Sequence, residues 1–578
     1  MRASKHHAAR TGVCRSPCAS TSAAARARAA CAIPATTDIA AVTRKPAARC
    51  AHRIIVVATR TVSAYRGARS AAHWPPPRRS PREDADMQTH TMQRARDPLR
   101  FYRAVWRWHF YAGLLVVPFV AWLALTGALY LYQKPIDRWA HHALKVVQTS
   151  TRPPTLPSAQ LAAVRAVADG AVFRYTTPER PDGSVEIGVL RPDGARTVYY
   201  VDPTSARVLG QLPEKGTVSG IVRRLHSLAL VGEPARALME IAAGWAILLV
   251  LTGVYLWWPR GQRGGVTSVR GRPGQRLFWR DLHAVTGVWV GAVLIFLAIT
   301  GMPWSLVWGK QVNAWANGHH YGYPAGVRVQ VPMSQQHLTD LTTPTWSLQQ
   351  AQLPTSQAPA HAHASTMPAH ADHADHGDHG DQGDQGDSVL ATLTPQPGAI
   401  GIDAAMQRFQ ALGLAPGFSV SLPRGPRGVY TASVYPEAVA RQRVVHLDQY
   451  SGQVLLDMGY RDYGALGRGL EWGINVHLGQ EYGTANRVFL LLACLAIVLL
   501  CVSSAVMWWK RRPLGGLGVP PLPKQGRSVA GVFALLCVGG ALFPLVGLSL
   551  LVVGLLDWRF TRGWRNAPQD ASHSPQGT

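Results

Sequence analysis

The sequence predicts an α-helical polytopic membrane protein. It reads as a four-helix bundle built from a duplicated span–module–span unit, with a fifth helix and two small α+β modules on one side of the membrane. Three observations predict this. Apolar runs occur at 110–132, 241–258, 284–308, 488–509 and 529–556, and about 20 such residues cross a hydrocarbon core. Two runs open alike, VWRWHFYAGLLVVPFVAWLALTG at 105–127 and WRDLHAVTGVWVGAVLIFLAITG at 279–301. Each has a histidine (His109, His283), a glycine four residues on (Gly113, Gly287) and a Thr-Gly pair whose threonine follows by 17 (Thr126, Thr300). Basic residues collect at alternate ends of the runs, as orientation in a bilayer requires.

Residues 1–86 hold sixteen Lys and Arg against four Asp and Glu and show no sustained periodicity. Their apolar core, 54–57, is too short for a signal peptide. Met87 and Met92 directly precede the first organised segment. The leader is therefore expected to be an over-extended reading frame; the alternative is a disordered basic cytoplasmic arm. The leader carries +12 of the +27 net charge, and much of the remaining +15 flanks the apolar runs, so membrane orientation accounts for it and no nucleic-acid partner is expected. Of seven cysteines, four lie in the leader and three (Cys494, Cys501, Cys537) in apolar runs, which implies no disulfide framework.

The first transmembrane helix is assigned to 100–140, and a polar module follows at 141–225. Within it Ser158–Ala168 has a helical pattern, and Val185–Leu190 and Thr197–Asp202 alternate like strands. The second helix is assigned to 226–260, a cytoplasmic loop to 261–276 and the third helix to 277–310. The second polar region, 311–470, has a module at 398–460, with a helix at Gly401–Leu412 and strands at Tyr430–Tyr435 and Arg443–Asp448. The strands end in matching turns, YVDPTSARVLG at 200–210 and HLDQYSGQVLL at 446–456. The fourth helix is assigned to 471–512 and a loop to 513–528. Arg100, Arg103, Arg107, Arg270, Arg272, Arg276, Arg280 and Lys510–Arg512 mark the cytoplasmic ends, which sends both modules to the opposite face, the periplasm of a Gram-negative cell. The last run, 529–558, is expected to be one span kinked at Pro544, because a lipid-exposed turn would leave backbone groups unpaired. The tail is 559–578.

Two further histidines, His226 and His477, each precede a Trp-Trp pair by 31 residues. That is about 46 Å of helix, longer than a bilayer core, and Glu233-Pro234 is expected to break the first copy. Charge topology pairs His109 with His283 near the cytoplasmic face and His226 with His477 near the other. Two stacked pairs suit two haems, neutral imidazoles serving as axial ligands, with Gly113 and Gly287 leaving room for a flat macrocycle. The alternative is interhelical hydrogen bonding or a proton relay. His141-His142 and His319-His320 follow the first and third spans and are open as ligands. The linker 360–387 carries His361, His363, His370, His373, His376 and His379 among aspartates. It reads either as a loose divalent-metal site or as a solvated insertion.

RWHFYAG, RDLHAVTG, LHSLALVG, TGVYLWWPR and FPLVGLSLLVVGLLDW together resemble the PepSY-associated transmembrane helix family. That family includes iron-regulated membrane proteins and inner-membrane ferri-siderophore reductases. The resemblance covers roughly residues 100–560, and the turn sequences resemble those of PepSY domains. It implies an inner-membrane haem b protein with two haems on His109, His226, His283 and His477, passing electrons to periplasmic ferric-siderophore. No flavin domain is recognisable, so a separate electron donor is expected. Two other functions remain open: a non-catalytic PepSY binding or regulatory protein, and a periplasmic metal-handling accessory.

Overall fold

The computed structural model describes residues 97–260, 265–324, 331–358, 393, 395–513 and 526–565. The leader and the six histidines of the His/Asp tract lie outside the described residues. Four helices are long and apolar enough to cross a membrane: α1 (Asp97–Tyr130), α5 (Glu233–Trp257), α6 (Arg276–Gly301) and α10 (Gly483–Arg511). They pack in cyclic order, α1 on α5, α5 on α6, α6 on α10 and α10 on α1. The faces between them are lined by small residues, among them Ala104, Ala112, Ala124, Ala242, Ala246 and Ala493, which lets backbones approach where lipid supplies no hydrophobic drive between helices. Leu125, Leu129, Leu492 and Leu495 point outward and are more than half exposed, as lipid-facing side chains are. The arginine-rich ends meet: Arg260 lies over Tyr102 and Tyr255, and Arg511 over Trp106 and Phe110.

At the other end each span hands over to a short helix. α1 is followed by α2 (Gln133–Ala140), and α6 by α7 (Trp308–Gly318). α4 (Val218–His226) precedes α5, and α9 (Ala465–His477) precedes α10. The expected break before Glu233-Pro234 is present. Leu228 and Gly232 take positive φ there, 53° and 121°, as Gly479 and Gly483 do in the second copy, and Glu233 sits in the first turn of α5, where the helix dipole favours a carboxylate. Each outer histidine thus rides its own short helix, folded back on a span.

The two modules do not stand apart. The first contributes β1 (Ala171–Thr176), β2 (Val185–Leu190), β3 (Arg196–Val201) and β4 (Val208–Pro213). The second contributes β7 (Ser419–Ser421), β8 (Val429–Val434), β9 (Arg443–Asp448) and β10 (Val454–Gly459). They form one eight-stranded antiparallel sheet, ordered β10-β9-β8-β7-β1-β2-β3-β4. The seam pairs Arg174 with Ser421, Tyr175 with Val420 and Thr176 with Ser419. Helices α3 (Pro157–Arg165) and α8 (Gly401–Ala411) pack on one face and on each other, closing a single core with Leu161, Ile187, Met406, Phe409, Val420 and Val445. A hairpin of β5 (Met333–His337) and β6 (Gln352–Pro354) precedes the His/Asp tract. Its segment covers the opposite face of the second half through Tyr323, Leu338 and Leu353 against Val444 and Met458.

The C-terminal run departs from the single kinked span. It is two helices, α11 (Gly526–Leu542) and α12 (Pro544–Arg565), that pack against each other. Gly540 and Gly547 touch so closely that a Cβ on Gly540 would come within 2.8 Å of the Gly547 Cα, impossible seven residues apart on one helix. The expected cost of such a turn is met locally. The Phe543 N–H donates to Gly539 O (2.9 Å) and the Gly547 N–H to Phe543 O (3.1 Å), while the Phe543 ring packs on Gly244 and Trp308 instead of facing lipid alone.

Candidate functional site

The four histidines of the repeat are each held in the same way. His226, at the end of α4, places Nδ1 2.8 Å from the Thr126 hydroxyl on α1. His477, at the end of α9, places Nδ1 2.8 Å from the Thr300 hydroxyl on α6. On α1 itself, His109 Nδ1 lies 2.9 Å from the Thr252 hydroxyl on α5. On α6, His283 Nδ1 lies 3.2 Å from Leu500 O and 3.3 Å from the Ser503 hydroxyl on α10. Each hydroxyl already donates down its own helix: Thr126 to Trp122 O, Thr252 to Leu248 O and Thr300 to Phe296 O, all at 2.7 Å, and Ser503 to Leu500 O at 2.8 Å.

With its hydrogen directed to a carbonyl, each hydroxyl oxygen can only accept from the ring. At His283 the carbonyl acceptor requires the same. Nδ1 therefore carries the proton in all four, and Nε2 keeps its lone pair, without a hydrogen-bonding partner among the described residues. Burial holds His226 down at about 4; burial first, and then the nearby charge of His226, does the same to His477. These two rings are neutral at physiological pH, the form that binds metal.

The rings come in two pairs. His226 lies within electrostatic reach of His477 at the sheet end, and His109 within reach of His283 toward the arginine-rich end. The glycines make room for them. A Cβ on Gly127, Gly253 or Gly301 would come within 3.5, 3.3 or 3.6 Å of the Cε1 of His226, His109 or His477. A Cβ on Gly113 would meet nothing within 4 Å, and one on Gly287 would touch Leu500 Cδ1 at 3.4 Å.

Among the described residues no group of three or more His, Cys, Asp or Glu is placed to hold a metal ion. A metal at either pair would need its other donors from a ligand, as iron in a porphyrin has them. Two Nε2 lone pairs per site, without a hydrogen-bonding partner among the described residues, and open space at Gly113 fit such a group. His141 and His142 follow α2, and His319 and His320 follow α7; the His319 ring hydrogen-bonds Trp315 O at 2.8 Å and lies tilted against the Trp315 ring. They are not among the four. Trp258 and Trp509 are each 62% exposed, as interfacial anchors are.

The four hydroxyls are what the sequence left unassigned. The Thr-Gly pairs stood out by register with His109 and His283, yet Thr126 and Thr300 serve His226 and His477. Aligning the two Trp-Trp pairs, 251 residues apart, places Thr252 opposite Ser503 and was the signal for the other two. In comparisons with known proteins, the model of the PepSY-associated TM region matches residues 106–511. No curated protein matches.

Proposed function

The chain belongs to the PepSY-associated TM family, and from that membership and the two histidine pairs we propose that it is an electron-transfer protein of the bacterial inner membrane. In this reading it holds two haems b and reduces a ferric-siderophore on the side of the sheet. The observation that carries the reading is the set of four imidazoles, fixed through Nδ1 with Nε2 left over, in two neighbouring pairs. His109 and His283 would hold one haem, and His226 and His477 the other. Bound haem would supply a centre that accepts and releases one electron without bond rearrangement.

The remaining work falls to the chain. The spans pack through small-residue faces, and the short helices α4 and α9 present the sheet-end histidines next to the folded module. A ferric chelate built of hard oxygen donors binds the ferrous ion far less tightly, so one electron delivered at the sheet end is enough to release the metal. The arginine-rich end is where a separate donor would dock.

The visible spectrum of the purified protein tests this. A Soret band that shifts on dithionite, about half of it lost in His283→Ala and about half in His477→Ala, is the expected result. An unchanged haem content in all four single histidine variants, or no haem in the wild type, overturns the proposal.

A further inference from the structure

We infer that Thr126, Thr252, Thr300 and Ser503 are positioning residues that fix the tautomer and set the donor strength of the four histidines. This rests on the haem reading and adds to it the group that tunes each site.

Three observations converge. The same chemical group, a helix hydroxyl already donating to its own helix's carbonyl, meets Nδ1 in all four places. A valine would fill the threonine's volume, so packing alone gives no reason for an oxygen at each station. In three of the four the next residue is a glycine against which the ring edge rests, at 3.3–3.6 Å from an added Cβ. Hydroxyl and glycine together therefore make a seat for one imidazole face and one nitrogen.

The wiring within each copy is reciprocal. In the first, α1 seats His226 through Thr126, while its own His109 is seated by Thr252 on α5. In the second, α6 seats His477 through Thr300, while its His283 is seated by Ser503 and Leu500 O on α10. Removing one hydroxyl should accordingly disturb one site and spare the other. An imidazole that donates from Nδ1 is a more basic ligand at Nε2, which favours the oxidised metal. Loss of that hydrogen bond should raise the potential of the haem concerned.

The test is a potentiometric titration, with the low-spin ferric resonances followed in parallel, on full-length wild type, Thr300→Val, Thr300→Ser and Thr252→Val. Thr300→Val should raise the potential of the sheet-end haem alone, Thr252→Val that of the other alone, and Thr300→Ser should match the wild type. If Thr300→Val instead loses one haem while Thr300→Ser keeps both, the hydroxyl is equally supported. Potentials and resonances unmoved in both valine variants overturn the inference and leave the haem reading standing. So does loss of haem in Thr300→Val and Thr300→Ser alike. A wild type without a Soret band removes the haem reading and this inference with it.

Discussion

Three carboxylates among the described residues are no more than 2% exposed, and each meets that cost differently. Asp281, with no exposed side-chain surface, lies between Arg270 (2.8 Å) and Arg280 (2.5 Å). Glu240, on the span α5, accepts the Val307 and Trp308 N–H groups at 2.9 and 3.0 Å, at the positive end of α7. Glu471, on α9 six residues before His477, has no ion-pair partner among the described residues. It accepts the Ser347 N–H at 2.8 Å and is surrounded by the hydroxyls of Thr345, Ser347, Tyr435 and Tyr463. Burial pushes its carboxyl up to about 7. A folded-state pKa above the ordinary 4.5 means that the folded chain holds this proton where the unfolded chain has lost it. Stability from this group is then full below about 4.5, falls as pH rises toward 7 and is flat above. At 1.36 kcal/mol per unit the loss is at most about 3 kcal/mol. Thermal unfolding in detergent from pH 5 to 8 should show that fall in the wild type and a much flatter profile in Glu471→Gln; parallel profiles would refute the assignment.

At the scale of the element, the paired turns of the sheet show what the repeat conserves and where it has drifted. Asp202 Oδ1 accepts the Thr204 N–H (2.9 Å), and Asp448 Oδ1 accepts the Tyr450 and Ser451 N–H groups (2.9 and 2.8 Å). Four residues after each aspartate the chain turns left-handed, at Ala206 (φ 54°) and Gly452 (φ 67°). A Cβ costs roughly 1–2 kcal/mol in that region, so Ala206→Gly should stabilise by up to about 1 kcal/mol once glycine's entropy is counted. Gly452→Ala, whose Cβ would also come within 3.1 Å of Ile400 Cδ1, should destabilise by at least as much. A lower melting temperature for Ala206→Gly would contradict the strain argument. The same elements show what was legible. Strands β2 and β9 are read from the sequence at their observed bounds, because each is a self-contained apolar or alternating run. The short β7, three residues long, and β1, with a register shift between Val172 and Arg174, are defined by pairing with each other. Nothing in either stretch alone announces the seam. The histidines were legible as a repeat, whereas their hydroxyl seats lie on other helices and needed the packing to be found.

For the molecule as a whole, the duplication is expressed twice: as four spans in cyclic contact and as one sheet continuous across the seam. A module taken alone would expose β1 or β7 as a bare edge, a liability that pairing removes. Proline at the seam, as in Val420→Pro, removes a ladder donor and should cost both halves their protease resistance together; resistance lost from one half alone would mean that they fold separately. The C-terminal hairpin bears on topology. α11 starts beside Phe101, where a Cβ on Gly531 would come within 3.0 Å of its ring, and turns at Phe543 beside Gly244. α12 then folds back along α11 and α5, with Trp245 Nε1 donating to the Ser549 hydroxyl at 3.0 Å. A hairpin returns the chain to the side from which it left, the arginine-rich end, which the positive-inside bias would assign to the cytoplasm. A single cysteine at Ser574, in a background without the native cysteines, should then react with an impermeant maleimide only after spheroplasts are lysed. Labelling of intact spheroplasts would mean that the run crosses once, and that the close contact of Gly540 with Gly547 does not hold in the membrane.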